Sequence, residues 1–297
     1  MITVSSKVFL IPAPHHGAFP YCNCLYIKDD VHGLIDSSCG EEQAQNLIAE
    51  SIDVLINSHF HGDHTGQNWM FDRSQIWAHY IDAPAIRSHD NWNQLFGFQH
   101  YGETKLGIEF AKRTVRIATP VNRELEDNEL LDFGSTKLKV VHTPGHTRGH
   151  CVFFEENEEI LFSADICLSK YGPWYGHYDS DIQDTIDSIK RCQALKPRLV
   201  ISGHGGIFQG NIEKHFTDYL NIVMKKEEII YNALKAPCTI QELLAMELFS
   251  SLPASTTSNT RMNRLIDYFE KVGIIKHLER LLSMKAIAQA GDVYYQA

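Results

Sequence analysis

The amino-acid sequence predicts an α/β domain followed by a small, mostly helical domain. In residues 1–210, short β-rich runs alternate with helical stretches, an alternation that is typical of α/β proteins. In residues 211–297 the pattern changes to amphipathic stretches that end in a pair of short β-rich runs. The chain has 297 residues, 43% of them apolar and 22% charged, which suits one large and one small globular domain.

The α/β domain begins with a predicted hairpin, whose strands are "CLYIKDD" and "HGLIDSS". A helix is predicted next by "GEEQAQNLIAE", with acidic residues in its first turn and with Ala44, Leu47 and Ile48 on its buried side. The nearly unbroken apolar run "SIDVLIN" then predicts a strand that is covered on both faces.

The later elements of this domain follow the same alternation. A strand is predicted by "TKLKVVH", and a hairpin by "CVFFEENEEILFSADI". A helix is predicted by "DIQDTIDSIKRCQAL", because its isoleucines recur at helical spacing, and a last strand by "PRLVIS". Between the earlier and later elements, residues 85–116 are rich in aromatics and weakly periodic, and we interpret them as a helical insertion or lid.

Residues 211–297 are predicted to form a winged-helix-like domain. A long amphipathic helix is expected over residues 213–234, and further helices in "TIQELLAMEL" and "TTSNTRMNRLIDYFEKVG". The runs "IIKHLE" and "DVYYQ" are predicted to be a closing pair of short strands. Three helices followed by two strands is the element order of a winged helix.

The charge distribution argues against nucleic acid as the main partner. The net charge is −10, and residues 211–297 hold 10 basic and 10 acidic residues, so the whole negative excess lies in residues 1–210. Arg261, Arg264 and Lys271 share their predicted helix with acidic residues. We therefore assign them to packing, or to joining two chains as a homodimer, rather than to reading DNA.

Three further patterns bear on location and chemistry. No apolar run approaches the roughly 18 residues that span a bilayer, and "MITVSSKVFLIPAPHHG" lacks the pattern of a signal peptide, so a cytoplasmic location is expected. Seven cysteines, an odd number, do not indicate a disulfide framework. Cys22 and Cys24 have no second pair to complete a metal site, and are predicted to be buried packing residues.

A dense cluster of polar residues follows the predicted strand "SIDVLIN". Within "HFHGDH", His59 and His61 are two residues apart and point the same way from an extended loop, whereas Asp63 and His64 follow a glycine turn and can face a second centre. Imidazole and carboxylate groups are suited to binding zinc, iron or manganese. The motif therefore predicts ligands for two metal ions.

Three other strand ends supply the remaining ligands. His146 lies in "TPGHT", Asp165 in "SADI" and His204 in "SGHGG". We predict two divalent metal ions, most simply zinc, with iron or manganese as alternatives, and Asp165 as a bridge whose two oxygens face both ions. The predicted ligand groups, which share Asp165, are His59/His61/His146 and Asp63/His64/His204.

Together these motifs resemble the metallo-β-lactamase superfamily, and especially its glyoxalase II-like branch. The resemblance covers about residues 20–210. It implies an αββα sandwich with metals at one edge, followed by the small helical domain that some members carry. The glutathione-binding motif of glyoxalase II and the extra motifs of the RNA-cleaving classes are not matched. The resemblance therefore implies the metal site but not the substrate.

A segment rich in aromatics follows the predicted bridging aspartate. In "KYGPWYGHY", Tyr171, Trp174, Tyr175 and His177 are predicted to bind a small-molecule substrate as a pocket wall, with a packed turn as the alternative. His150 is assigned to packing rather than to supporting the metal site. The same ordinary roles are assigned to eight other histidines, namely His15, His32, His79, His89, His100, His142, His215 and His277.

The predicted chemistry is hydrolysis. Two metals about 3.5 Å apart hold a bridging water as hydroxide near neutral pH, and Asp63 is predicted to orient it as the catalytic residue. Thioesters, lactones and esters of small molecules fit this scheme. The alternatives are a persulfide dioxygenase with one iron, a nuclease or phosphodiesterase, and a binding protein. Because no predicted ligand follows His204, removal of the chain after about residue 212 is expected to leave metal binding intact.

Overall fold

The computed structural model describes residues 1–114, 117–249 and 260–297, without the side chains of residues 112, 113 and 260–263. Two β-sheets face each other, and helices cover both outer faces, so the predicted αββα sandwich is confirmed. A third, small sheet and further helices follow this sandwich in the chain. None of the helices in the described residues is both long and apolar enough to cross a membrane.

The first sheet has seven strands in sequence order. Strands β1 to β4 pair antiparallel, and they include the predicted hairpin, whereas β4 to β7 pair parallel. Parallel strands are normally covered on both faces, and β5 is buried along its whole length, as predicted. The strands are β1 Ile2–Thr3, β2 Val8–Ile11, β3 Cys24–Lys28, β4 His32–Ile35, β5 Val54–Asn57, β6 Gln75–His79 and β7 Arg123–Leu125.

The second sheet has six strands in the order β13-β12-β11-β10-β9-β8. Only β11 and β12 pair in parallel, and the hairpin of β10 and β11 is the one that the sequence predicts. The strands are β8 Leu130–Asp132, β9 Lys137–His142, β10 Cys151–Glu155, β11 Ile160–Ala164, β12 Leu199–Ser202 and β13 Gly206–Phe208. Side chains such as Phe153 and Phe162 meet Ile27 and Ile56 of the first sheet in a continuous apolar core.

Five helices, α1 to α5, precede β7 in the chain, and α6 and α7 pack on the second sheet. Ala44 and Leu47 of α1 are buried as predicted, but Ile48 is 42% exposed, because it lies at the margin of the apolar stripe beside an open groove. The helices are α1 Glu41–Ala49, α2 Gly62–Thr65, α3 Ala83–Arg87, α4 His89–Phe96, α5 Thr104–Thr114, α6 Ile182–Ala194 and α7 Ile212–Ala233, with short 3-10 helices at Pro14–Gly17 and Asn68–Met70.

The segment predicted as an insertion or lid, residues 85–116, is helical in most of its described part. Residues 115–116 lie outside the described residues. Its helices α4 and α5 place Trp92, Phe96 and Phe110 in the apolar cluster that covers the first sheet. Whether the segment acts as a lid stays a prediction.

The last part of the chain contains α8 Ile240–Ala245, α9 Thr260–Ser283 and a sheet of β14 Cys238–Thr239, β15 Ile287–Ala290 and β16 Val293–Gln296. The strand predicted at "IIKHLE" is wrong: these residues continue α9, because Ile274, Leu278 and Leu281 form a buried stripe at helical spacing. Residues 256–259 of the predicted third helix lie outside the described residues. The winged-helix assignment stays a prediction.

Helices α7 and α9 also pack on the sandwich. Phe216 and Tyr219 of α7 are buried in the cluster beneath the second sheet. Tyr268 and Val272 of α9 are buried in the cluster on the first sheet, and Tyr268 Oη donates to the Phe96 carbonyl at 3.1 Å. The C-terminal part is therefore continuous with the cores of the α/β part.

Candidate metal centre

The predicted ligands lie at one edge of the sandwich, where four strands end. His59 follows β5 in the first sheet, His146 follows β9 and Asp165 follows β11 in the second sheet, and His204 lies between β12 and β13. Gly145 allows the loop before His146 to approach α6, since a Cβ at this residue would lie 2.3 Å from the amide nitrogen of residue 185. The fold therefore brings together residues that are up to 145 positions apart.

One group of donors is almost fully enclosed. The ligand atoms of His59, His61, His146 and Asp165 all lie within 4.8 Å of one another. His146 Nε2 lies 3.0 Å from His61 Nδ1 and 3.0 Å from Asp165 Oδ2. His59 Nε2 is buried and has no hydrogen-bond partner among the described residues. A buried polar atom without a partner is costly, and here it points into a cluster of other donors.

The second group lies beside the first and is more open. It consists of Asp63, His64 and His204, and the side chains of Asp63 and His204 are 14% and 20% exposed. His64 Nε2 lies 3.1 Å from His204 Nε2 and 2.8 Å from Asp165 Oδ1. Asp165 thus turns Oδ2 to the first group and Oδ1 to the second, which is the arrangement expected of a bridging carboxylate.

These atoms fit divalent cations. A tetrahedral zinc ion with bonds of about 2.0–2.1 Å holds two nitrogens roughly 3.3 Å apart, close to the separations within each group. Asp165 Oδ1 lies near two imidazole nitrogens without hydrogen-bonding geometry to either, as expected of atoms that face a shared ion. Five imidazoles and two carboxylates suit zinc, iron or manganese. The cluster is able to bind metal ions, and their identity and number stay predictions.

The imidazoles are held from behind by hydrogen bonds at their other nitrogens. His146 Nδ1–H donates to the Trp174 carbonyl at 2.9 Å, and His204 Nδ1–H donates to the Gly17 carbonyl. His64 Nδ1–H donates to Asp36 Oδ2 at 2.7 Å. Each bond directs the Nε2 atom at the cluster, and such partners fix the ring orientation of a metal ligand.

Two buried carboxylates that sequence reasoning missed support the site. Asp36 also accepts hydrogen bonds from the amide and hydroxyl of Ser58 at 2.8 Å. Asp82 accepts from the amides of Phe60 and Gly149 and from the Thr147 hydroxyl, at 3.1, 2.8 and 2.7 Å, and so ties together the loops that carry the histidines. Asp36 follows β4 at the same sheet edge, a signal that the sequence offers. Asp82 lies in an ordinary loop and offers none.

The packing role predicted for His150 is wrong. His150 is fully buried, its Nε2 accepts a hydrogen bond from the Asp165 amide at 3.3 Å, and its Nδ1 lies 2.8 Å from Thr143 Oγ1. Burial lowers the pKa of His150 to about 3, so the ring stays neutral and can accept this bond. His150 therefore positions the backbone of Asp165.

The predicted pocket wall divides into three environments. The Trp174 ring centroid lies 5.4 Å from that of His61 and 5.5 Å from that of His146, so this side chain borders the first group. Tyr171 is 45% exposed. The interpretation of Tyr175 and His177 needs correction, since both are buried. The Tyr175 hydroxyl bonds His277 Nε2 at 2.9 Å in the packing against α9, and His177 Nε2 lies 3.0 Å from His61 Nε2, behind that ligand.

The two groups differ in charge. Burial lowers the pKa of His59 and of His61 well below the usual range, so these imidazoles are neutral and their lone pairs are free. Burial also opposes the charge of His204, but Asp165 and Asp63 outweigh it and raise the pKa of His204 to about 9. Burial would raise the pKa of Asp165, yet His204 and the other neighbouring histidines hold it well below the usual range. The Asp165 carboxylate is therefore charged.

Cys22 and Cys24 are both buried, as predicted, with their sulfur atoms 3.9 Å apart. All seven cysteines are free thiols. Arg264 of α9 lies 3.7 Å from Glu103, and the side chain of Arg261 lies outside the described residues.

Comparison with known proteins identifies the family. The family model described as "Metallo-beta-lactamase superfamily" matches residues 17–204, the range that contains every predicted ligand. The chain belongs to the metallo-β-lactamase superfamily. Two solved superfamily structures match it over nearly its whole length, including the C-terminal part. These are the metallo-beta-lactamase family protein TTHA1429 from Thermus thermophilus (22% identity, TM-score 0.77, 99% of this chain and 100% of that one) and a beta-lactamase domain protein from Burkholderia ambifaria (17% identity, TM-score 0.78, 100% and 93%).

Curated superfamily relatives include named hydrolases. The human acyl-coenzyme A thioesterase MBLAC2 is 28% identical over 182 residues, which are 59% of this chain and 62% of that protein. The hydroxyacylglutathione hydrolase GloC of Haemophilus influenzae is 25% identical over 210 residues, 67% of this chain and 92% of that protein. The chain thus spans about three fifths of the length of the thioesterase relatives that it matches.

Proposed function

We propose that this protein is a metal-dependent hydrolase that cleaves a thioester, lactone or ester of a small molecule at a dinuclear centre. The observation that carries the proposal is the pair of donor groups that share Asp165, since two adjacent sites with one bridging carboxylate are suited to holding two cations close together. The similarity to an acyl-coenzyme A thioesterase and to a hydroxyacylglutathione hydrolase supports cleavage of an acyl bond.

Two bound cations would supply a hydroxide nucleophile at neutral pH and polarise the carbonyl of the substrate. Asp165 contributes a negative charge between the two groups and so offsets part of the repulsion between cations. Asp63 lies on the more open side of the cluster, 3.4 Å from His204, where its carboxylate can orient the attacking hydroxide. Asp36 and His150 keep His64 and the Asp165 backbone in place.

The exposure of the second group indicates where the substrate enters. Asp63 and His204 are partly exposed, whereas His59 and His61 are buried, so a carbonyl group reaches the cluster from the side of the second group. The acidic charge of residues 1–210 disfavours a nucleic-acid backbone as the substrate. We also propose that the C-terminal part is a winged-helix-like domain that covers the sandwich and can join two chains.

The experiment that tests the proposal combines metal analysis with a substrate panel. The protein is purified anaerobically, stripped of metal, reloaded with zinc, manganese or iron, and offered thioesters, lactones, esters, phosphodiesters and persulfides. We expect two ions per chain and turnover of the acyl substrates. Asp63→Asn should lower kcat by roughly 10²-fold or more, whereas Asp72→Asn, on the surface, should leave it unchanged.

Two results would overturn the proposal. One is a single ion per chain after incubation with excess metal, which would favour a mononuclear oxygenase if that ion were iron. The other is turnover restricted to phosphodiesters or persulfides.

A further inference from the structure

An arch of four aromatic rings extends from the first donor group. Trp174, Phe269, Phe110 and Phe19 form this aromatic arch, and neighbouring ring centroids are 5.0, 5.8 and 6.1 Å apart. The last pair is stacked, with 18° between the ring planes. The four rings come from three separate parts of the chain before α7 and from α9, so only the folded protein assembles them.

One end of the aromatic arch contacts the first donor group, and the other end lies two residues from a contact of the second. Trp174 contacts His61 and His146 of the first group. Phe19 belongs to the loop whose Gly17 carbonyl accepts the hydrogen bond of His204 in the second group. The arch therefore spans the same edge as the seven donors.

Helix α5 brings the middle of the arch down onto the metal loop. A Cβ at Gly62, between His61 and Asp63, would lie 3.3 Å from the Thr114 side chain at the end of α5. Phe110 lies one helical turn earlier on α5, and its ring also packs against Phe96, 5.3 Å away. Helix α5, which carries Phe110, is thus packed against the loop of His61 and Asp63.

The aromatic arch continues from the core into solvent. Phe110 is 7% exposed, but Phe19, stacked on it, is 49% exposed. Trp174 and Phe269 are half-buried. Core packing accounts for Phe110 but not for the large apolar side chain of Phe19 left in water, and apolar surface near a candidate metal centre marks a binding surface.

We propose that the aromatic arch binds the apolar acyl chain of the substrate, and that Phe269 makes the C-terminal helix a determinant of acyl-chain specificity. This inference rests on the proposed function and names its substrate class: an ester or thioester with a medium-length alkyl or aryl acyl group. Its carbonyl would lie at the two donor groups while the chain lies along Phe19, Phe110 and Phe269.

Helix α9 is anchored well enough to hold Phe269 in place. The preceding residue, Tyr268, is buried and donates a hydrogen bond to the Phe96 carbonyl, and Val272 is fully buried one turn later. Lys276 Nζ donates to the Tyr178 carbonyl at 2.9 Å, which ties α9 to the loop that carries Trp174. Replacing Phe269 therefore changes the surface of the arch more than the position of the helix.

The test uses the full-length zinc-loaded protein and three thioesters with one leaving group and acetyl, butyryl or octanoyl chains. If half of each methylene is buried, kcat/KM should rise about twofold per methylene, or roughly 60-fold from acetyl to octanoyl. In Phe269→Ala and in Phe19→Ala the octanoyl-to-acetyl ratio should fall about tenfold. In Phe269→Leu, which keeps apolar volume at this position, the ratio should fall less. Tyr295→Ala, on the small third sheet, serves as the control and should keep the wild-type ratio.

A binding measurement separates this inference from the proposed function. Calorimetric titration with octanoate, butyrate and acetate needs no turnover, and octanoate should bind at least tenfold more tightly than butyrate. Absence of hydrolysis with every thioester would overturn the proposed function. Hydrolysis with equal kcat/KM for the three chains, equal affinity for the carboxylates, or an unchanged ratio in both alanine variants would overturn the role of the arch and leave the hydrolase in place.

Discussion

Removal of the C-terminal part should unfold the α/β domain rather than leave its metal centre intact. The sequence alone predicts that metal binding survives this removal, because every predicted ligand precedes residue 212. In the structure, however, α7 and α9 fill the two outer apolar clusters of the sandwich. The Tyr219 hydroxyl of α7 also donates to the Asp165 carbonyl at 3.3 Å, so the tail contacts a residue of the donor cluster.

The magnitude follows from the buried side chains. Each fully buried large apolar side chain contributes about 1.5–3 kcal/mol, so the seven that the tail places in these clusters contribute roughly 10–20 kcal/mol. The stability of a whole domain is only about 5–15 kcal/mol. The seven side chains are Ile212, Phe216, Tyr219, Val223, Leu265, Tyr268 and Val272.

The assay compares the intact chain with residues 1–211 and 1–249 by near-ultraviolet circular dichroism, thermal melting and metal content. Residues 1–211 should show no cooperative melt. Residues 1–249 keep α7 and should be destabilised by roughly 5–9 kcal/mol, the contribution of three side chains. Met284→Ala, directly after α9 at a residue that is 54% exposed, is the control for a change in this part of the chain. A cooperative melt and full metal content in residues 1–211 would refute this reasoning.

Three further predictions concern single residues. Asp82→Ala should lower the free energy of unfolding of the metal-free protein by about 3–5 kcal/mol in urea titrations, because three buried donors lose their acceptor. The control Asp187→Ala, at an exposed residue, should change this free energy by less than about 0.5 kcal/mol. Asp165→Asn should lower the content of both metals, as measured by mass spectrometry, whereas His204→Ala should lower mainly one. Equal, small losses of metal in the two variants would contradict a bridging role for Asp165. Burial and a stacked neighbouring imidazole lower the pKa of His79 from 6.5 to about 4. The stability that its neutral ring contributes is therefore present above pH 6.5 and is lost as the pH falls towards 4. The His79→Gln variant should lack this part of the acid destabilisation, and identical stability-versus-pH profiles for the variant and the wild type would exclude this role.

The sequence predicts those parts of the site that reside in short motifs. His59 and His61 are two residues apart after a buried strand, and His146, Asp165 and His204 each follow a strand, so their convergence at one sheet edge follows from the α/β pattern. Apolar periodicity likewise predicts the stripe of α6, where Ile182, Ile186 and Ile189 are buried.

The parts that could not be predicted depend on tertiary contacts. Nothing local distinguishes Asp82 from a surface loop residue, since its three donors come from loops up to 67 positions away. His177 and His150 have no sequence feature that separates them from residues lining a pocket; only the side chains that pack around them in the folded protein do so. The run "IIKHLE" contains adjacent isoleucines that favour a strand, but the buried stripe of α9 keeps it helical.

Each donor group takes its side chains from both sheets. In the first group, His59 and His61 follow a strand of the first sheet, and His146 and Asp165 follow strands of the second. In the second group, Asp63 and His64 follow that same first-sheet strand, and His204 lies in a loop of the second sheet. A bound ion therefore cross-links the two halves of the sandwich, and separating the sheets requires losing the ion. A ligand present at 100 times its Kd, bound only by the folded chain, adds about 2.7 kcal/mol of stability per site. The lifetime of this protein against proteolysis should consequently follow the supply of free metal around it, even when no substrate is present.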